Sequence, residues 1–360
     1  MAPVVGGLSH LRLALLGGSA ALAALTGVLH FTGTSDVVTF VVGAAALAGL
    51  AWIVSFATEA VGERFGPAVT GLLQSTLGNL PELFVVLFAL SAGEVVVAQT
   101  SILGSLFANA LLVLGLALFS GASASDDHVM RFRPRLPNDT ATLLLLAVFI
   151  IVLLGLSDSV GDRASMHRVA ISTVGAVVLL LIYAAWLYSY LLGPRAEPAI
   201  EGPQERATGM PLAVSVGLLA VSGVGAALVS EWFVDALGPA IEEIGISRAF
   251  TGIVIVAIAG NAVENVAGIT LAAKGQADLA VSVITNSVAQ IAVFLFPALV
   301  LISLAFDTRL TFVVPGVYVG ALALMAITVW QITGDGEGTQ FEGVALVGFY
   351  VILAVLAFYE

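Results

Sequence analysis

Cysteine is absent from this chain of 360 residues, which removes disulfides and thiolate metal centres from consideration. Lysine is nearly absent, with Lys274 standing alone among the basic side chains beside the arginines. Charged residues of both signs make up only 10% of the chain against 59% hydrophobic, and the mean hydropathy is +1.09. So little charge cannot cover the surface of a water-soluble globular domain. The net charge of -12 argues against nucleic acid or an anionic lipid surface as partner. No Ser/His pair, His/Glu metal motif or glycine-rich phosphate loop falls at membrane depth, which sets an intramembrane enzyme aside.

Long apolar runs are what the chain does have. A hydrocarbon core of about 30 Å needs roughly 20 apolar residues in a helix, and eleven such runs are expected, over 11–31, 37–57, 68–91, 95–120, 139–157, 168–192, 211–232, 249–273, 277–304, 308–332 and 341–359. The runs are continuous rather than alternating, which excludes a transmembrane β-barrel. The expected fold class is therefore an all-α polytopic membrane protein with the lipid bilayer as its surroundings. The first run has no small-residue cleavage site after a short apolar stretch and reads as a retained helix. With eleven spans, Arg12, Arg64, Arg131, Arg133, Arg135, Arg195, Arg206 and Lys274 share one side, and Arg163, Arg168, Arg248 and Arg309 the other. The positive-inside rule then predicts a cell-membrane protein with a cytoplasmic N-terminus and an external C-terminus.

Two polar interruptions repeat each other. Gly78-Asn79-Leu80-Pro81-Glu82 and Gly260-Asn261-Ala262-Val263-Glu264 share the pattern Gly-Asn-x-x-Glu inside otherwise apolar runs. A carboxylate at membrane depth costs several kcal/mol unless it has a partner, so it marks a functional site. The repeat extends further. Thr58-Glu59 precedes Gly66-Pro67 as Ser230-Glu231 precedes Gly238-Pro239, and Ser101, Ser105 and Asn109 recur as Ser282, Asn286 and Gln290 at helical spacing. The expected organisation is an N-terminal helix in 1–35, a five-helix repeat in 36–192, a polar acidic linker in 193–210 and a second five-helix repeat in 211–360. An odd-numbered duplicated unit must enter the membrane from the opposite side the second time. Inverted repeats with a site near the midplane characterise secondary transporters.

Residues three apart share a helix face, so Asn79 with Glu82, and Asn261 with Glu264, each set an amide oxygen beside a carboxylate. Carbonyls freed where the helix breaks can join them. An all-oxygen set with two carboxylates suits Ca²⁺ better than Mg²⁺ or soft transition metals. Ca²⁺ would be transported substrate, and no cofactor is expected. Protons would compete with it for the same carboxylate oxygens. The stripes Ser101, Ser105, Asn109 and Ser282, Asn286, Gln290 read either as further oxygen ligands or as interhelical polar contacts. Glu59 and Glu231 read either as interfacial helix-end residues or as guides for ions and protons. His128 and His167 fall in loops and read as solvated.

The runs Thr58-Glu59 to Gly66-Pro67, Gly71-Leu72-Leu73 and Gly78 to Leu83, with Val256 to Glu264, Asp278-Leu279-Ala280, Gln290-Ile291-Ala292 and Pro297, resemble the cation/Ca²⁺ exchanger superfamily and its Ca²⁺/H⁺ antiporter branch. The resemblance spans both halves. It implies one extra N-terminal helix and two inverted five-helix halves, with Ca²⁺ and H⁺ as exchanged partners at Glu82 and Glu264. It also implies ligands at Asn79 and Asn261, facing side chains at Ser101, Ser105, Asn109, Ser282 and Gln290, and mobile second and seventh helices. The chain departs from the family pattern at Gln74-Ser75-Thr76, Asn265 and Asn286. A Na⁺/Ca²⁺ or K⁺-dependent exchanger is the alternative, disfavoured by amides at Asn109 and Gln290 where further carboxylates would suit those ions. A passive cation channel is a second alternative. A homo-oligomer is compatible with all of these.

Overall fold

The computed structural model describes residues 10–62, 77–192 and 210–360, with all side chains there except Leu11, Tyr190, Leu191, Leu192, Val263 and Glu264. Helices make up nearly all of it. They are α1 (His10–Thr32), α2 (Asp36–Gly62), α3 (Leu80–Ser91), α4 (Val95–Ser123), α5 (Arg135–Ser159), α6 (Arg168–Leu192), α7 (Leu212–Ile244), α8 (Arg248–Gly260), α9 (Ala262–Ala273), α10 (Ala277–Ala305), α11 (Gly316–Thr333) and α12 (Gln340–Tyr359). Among the described residues nine helices are long and apolar enough to cross a membrane, or ten if α8 and α9 count as one broken span. The expected span over 68–91 is described only from residue 77 onward, and the linker expected over 193–210 lies outside the described residues apart from Met210.

Burial ranks the helices by position. The apolar window of α4 is 83% buried and that of α10 is 67%, against 17% for α1. These two central helices are also repeat-related, and each relaxes into a π-helical turn at a matched place, Ala108–Val113 and Ile291–Leu295. Such turns expose carbonyls by widening the helix and cluster at functional sites. At the edge, α2 and α7 pack along each other, and α1 lies on both. Phe40 stacks on Phe233 there, and Trp232 stacks on His30.

Three helix boundaries differ from expectation for local reasons. The seventh helix, expected over 211–232, runs on to Ile244 and carries Pro239 inside it. At 1.5 Å per residue its 33 residues span about 50 Å, well beyond the hydrocarbon. Asp235, Glu242 and Glu243 lie in that overhang, and Gly245 ends it in the left-handed conformation at φ 77°. The tenth span, expected from 308, becomes helical only at Gly316 behind Pro315. Residues 306–315 form no helix although 310–315 are largely apolar, and neighbouring side chains satisfy part of their backbone. Gln99 Nε2 donates to the Val313 carbonyl at 2.9 Å, the Phe312 amide donates to Ser172 Oγ at 3.1 Å, and the Leu310 amide donates to Ser303 Oγ at 2.9 Å. The eighth span, expected as one helix over 249–273, is bent by 62° between α8 and α9.

A small clasp ties three loops together. Strands β1 (Val129–Arg131) and β2 (Glu337–Thr339) pair antiparallel with Arg131 opposite Glu337, and the Arg133 amide donates to Asp278 Oδ1 at 2.6 Å. The loops before α5, before α10 and before α12 therefore share one side.

Candidate functional site

The second Gly-Asn-x-x-Glu segment is a break between two helices, and the first leads through a turn at 78–79 into α3. Asn79 ends the turn before α3 with φ -92° and ψ 16°, and Asn261 joins α8 to α9 with φ -105° and ψ 14°. The two angles match, as repeat symmetry requires. In each, the asparagine carbonyl takes the amide four residues on, Leu83 to Asn79 at 2.9 Å and Asn265 to Asn261 at 3.0 Å. Pro81 fits the first turn of α3, where its missing amide hydrogen leaves no helical bond unmade. The motif carboxylates thus fall in the first turns of two half-helices, whose unpaired amides and positive ends favour negative charge. Glu82 is 2% exposed and Asn79 and Asn261 are buried. The backbone at position 264 lies in α9, and the Glu264 side chain is outside the described set.

The halves meet at these segments. Glu82 Cβ lies 3.8 Å from where a side-chain carbon on Gly260 would stand, so the Glu82 side chain leaves its helix beside the second-repeat break. Asn261 bridges the other way. Its Nδ2 donates to Ser105 Oγ at 2.8 Å and to the Ala257 carbonyl at 3.0 Å, while its Oδ1 accepts from Asn109 Nδ2 at 3.2 Å. Asn109 Nδ2 also donates to the Ser105 carbonyl at 3.0 Å, and Asn109 Oδ1 is buried with no hydrogen-bond partner. Ser101 donates to the Ala98 carbonyl at 3.0 Å. The Asn261 amide oxygen, expected as a ligand, already accepts from Asn109.

On α10, Ser282 and Gln290 make no side-chain hydrogen bond to described residues, and Asn286 Oδ1 is buried without one. These three are not hydrogen-bonded to either motif, although α10 packs along α9 and against the π-turn of α4. Glu59 and Glu231 are exposed on α2 and α7. Glu231 sits well inside α7, so the helix-end reading fails for it: the helix runs on for thirteen residues to Ile244. No group of three or more His, Asp or Glu side chains able to hold a metal occurs among the described residues. A cation here would rely on the motif carboxylates and neutral oxygens.

Two features of the site escape the sequence pattern. The π-turns begin beside Asn109 and Gln290, and nothing in an apolar helix announces an extra residue in a turn. Gly104 and Gly252 let α4 and α8 touch backbone to backbone. A side-chain carbon on Gly104 would stand 2.5 Å from Ile253 Cα, and one on Gly252 would stand 2.0 Å from Thr100 Oγ1. Their sequence signal is a lone glycine between bulky residues on a helix face.

Known proteins of similar sequence and shape fit this geometry. The model of the sodium/calcium exchanger protein family matches residues 35–192 and 214–359. The Ca(2+)/H(+) antiporter ChaA of Bacillus subtilis is 30% identical over 93% of this chain and 95% of its own length. The vacuolar calcium ion transporter of Schizosaccharomyces pombe is 31% identical over 89% of this chain and 79% of its own. The solved structure of native YfkE superposes with a TM-score of 0.80 at 29% identity, covering 95% of this chain and 98% of that one.

Proposed function

This chain belongs to the sodium/calcium exchanger protein family, and from that premise we propose that it exchanges Ca²⁺ for H⁺ across a membrane by alternating access. The relatives named for Ca²⁺/H⁺ antiport match it over nearly the whole chain, and the observation that carries the reading is the burial of Glu82 against Gly260 of the opposite half. A buried carboxylate at the first turn of a half-helix, facing its repeat-related motif, is suited to a single divalent cation or to protons. Neutralisation by one or the other is the condition for moving charged groups past a low-dielectric barrier. Metal and protons compete for the same oxygens, which makes an exchanger out of a carrier.

Glu82 and Glu264 are assigned the ion- and proton-binding roles. Asn79, Asn286 and Asn109 are assigned as neutral oxygen ligands, the last two supported by their unpartnered buried oxygens. Ser101, Ser105, Ser282 and Gln290 line the passage beside them, and Asn261 serves first as a cross-repeat link. Glu59 and Glu231, exposed on the α2–α7 pair, are assigned to ion access. The protein is placed in the cell membrane with its N-terminus cytoplasmic. Eight of twelve basic residues fall on that side by the expected topology, and the shared side of the β1–β2 clasp and Asp278 fits that topology.

The test is Ca²⁺ uptake into proteoliposomes driven in parallel by an imposed proton gradient and an imposed Na⁺ gradient. Uptake driven by protons alone, and lost in Glu82→Gln, is expected. Uptake that requires Na⁺ would move the protein to Na⁺-coupled exchange, and uptake indifferent to both gradients would make it a channel.

A further inference from the structure

We propose that the two halves carry an alternating amide lock. The hydrogen bonds now made by Asn261, Ser105 and Asn109 exchange with their repeat-related images at Asn79, Asn286 and Gln290 as the site changes sides. The inference rests on the carrier reading above and goes beyond it by naming which bonds distinguish the two states.

The repeat pairs the residues one to one. Asn261 corresponds to Asn79, Ser105 to Asn286 and Asn109 to Gln290. In the second-repeat break the set is closed: Asn261 Nδ2 to Ser105 Oγ at 2.8 Å, Asn109 Nδ2 to Asn261 Oδ1 at 3.2 Å, and Asn109 Nδ2 to the Ser105 carbonyl at 3.0 Å. Carried through the repeat, the first of these becomes Asn79 Nδ2 to Asn286 Oδ1. Those two atoms, one donor and one acceptor, are both buried with no hydrogen-bond partner among the described residues. Gln290, the image of Asn109, is buried and makes no side-chain hydrogen bond to a described residue.

Orphaned buried polar atoms are rare in folded proteins and call for a reason. Two orphans that are the images of a made bond, with matching donor and acceptor character, are what a disengaged bond leaves behind. The image set is built to close over a wider gap, since Asn286 reaches further than serine and Gln290 is one methylene longer than Asn109. Each state then leaves one set unmade. The penalty of the orphans appears on both sides of the equilibrium, and the balance needed for a two-state element is preserved. The π-turns beginning at Ala108 and Ile291, beside the two long amides, give each the local backbone slack to engage or withdraw.

The absence of cysteine makes the test direct. Spin labels on Val214→Cys at the start of α7 and Phe341→Cys at the start of α12, both exposed and on the side of the β1–β2 clasp, report the movement of α7 against the rest of the protein in nanodiscs. Ser105→Ala and Asn109→Leu weaken the closed set and should move the distance distribution away from the described structure. Asn286→Leu weakens the image set and should move it toward the described structure. Loss of one net hydrogen bond corresponds to about a fivefold change in population in each case. Ser105→Ala removes a single oxygen and keeps the comparison available where an amide replacement fails to fold, with Asn286→Ala as its counterpart. Shifts in the same direction, or no shift in either, would overturn the lock. The readout needs neither Ca²⁺ nor a proton gradient, so a lock confirmed in a protein that fails to exchange protons would defeat the transport reading alone.

Discussion

Glu82 is 2% exposed and its Cβ lies beside Gly260, and in the proposed exchange its carboxyl is the group that Ca²⁺ or a proton neutralises. Glu82→Gln keeps the volume while removing the charge. We expect Ca²⁺ transport to fall to background with the protein still monodisperse by size-exclusion chromatography, and Glu264→Gln to do the same. A transporting Glu82→Gln would remove the carboxylate from the mechanism. Gly252 presents the opposite case, where nothing can be added. A methyl there would enter the space of Thr100 Oγ1 and the Ser101 amide, and overpacking of this kind costs about 1–3 kcal/mol or more. Gly252→Ala should lower the thermal midpoint clearly, whereas alanine at Gly217 or Gly320, with open space around each, should leave it nearly unchanged.

At the scale of elements, the β1–β2 clasp joins three loops through Arg131 and Arg133. Arg131 Nη1 donates to Asp127 at 2.6 Å and Nε to Glu337 at 3.2 Å. The hydrogen bond from Arg131 holds the Asp127 carboxyl below its ordinary range. A carboxyl whose folded value is depressed contributes stability above its unfolded value and loses it as pH falls through the folded one. Asp127→Asn should therefore lower the thermal midpoint slightly at pH 7 and not at all once the pH is below the depressed folded value. A difference that persists in acid would show that the ion pair is not its cause. The segment 306–315 makes a second prediction: Gln99→Leu leaves the Val313 carbonyl without its donor and should cost about 1–3 kcal/mol, read as a lower thermal midpoint. That segment also shows why apolar runs mislead. Hydropathy reports that residues are buried in hydrocarbon or protein, and Leu310, Phe312 and Val314 are buried without being helical. The partners of Val313 and Phe312, Gln99 and Ser172, lie 214 and 140 residues away in sequence, out of reach of any local pattern. The Gly-Asn-x-x-Glu segments were legible because their signal is local: a glycine, a capping amide and an acid in apolar surroundings. The overhang of α7 was not, because charges past the membrane surface stop a hydropathy window without stopping a helix.

For the whole molecule, the duplicated motifs in sequence carried the expectation of two halves meeting at one site. The contact of Glu82 with Gly260 and the bonds from Asn261 to Ser105 and Asn109 put those motifs side by side. What no sequence pattern could supply is the inequality of the halves, since a repeat read from sequence is symmetric and a single state of a carrier is not. In the proposed exchange Ca²⁺ and protons compete for the carboxylates of Glu82 and Glu264. That competition is tested most directly by measuring Ca²⁺ affinity of the purified protein against pH by isothermal titration calorimetry, with Glu82→Gln alongside. Each competing proton should weaken apparent affinity by about tenfold per pH unit below the carboxyl titration, and Glu82→Gln should flatten that slope. Ca²⁺ binding of unchanged affinity from acid to neutral pH would contradict it.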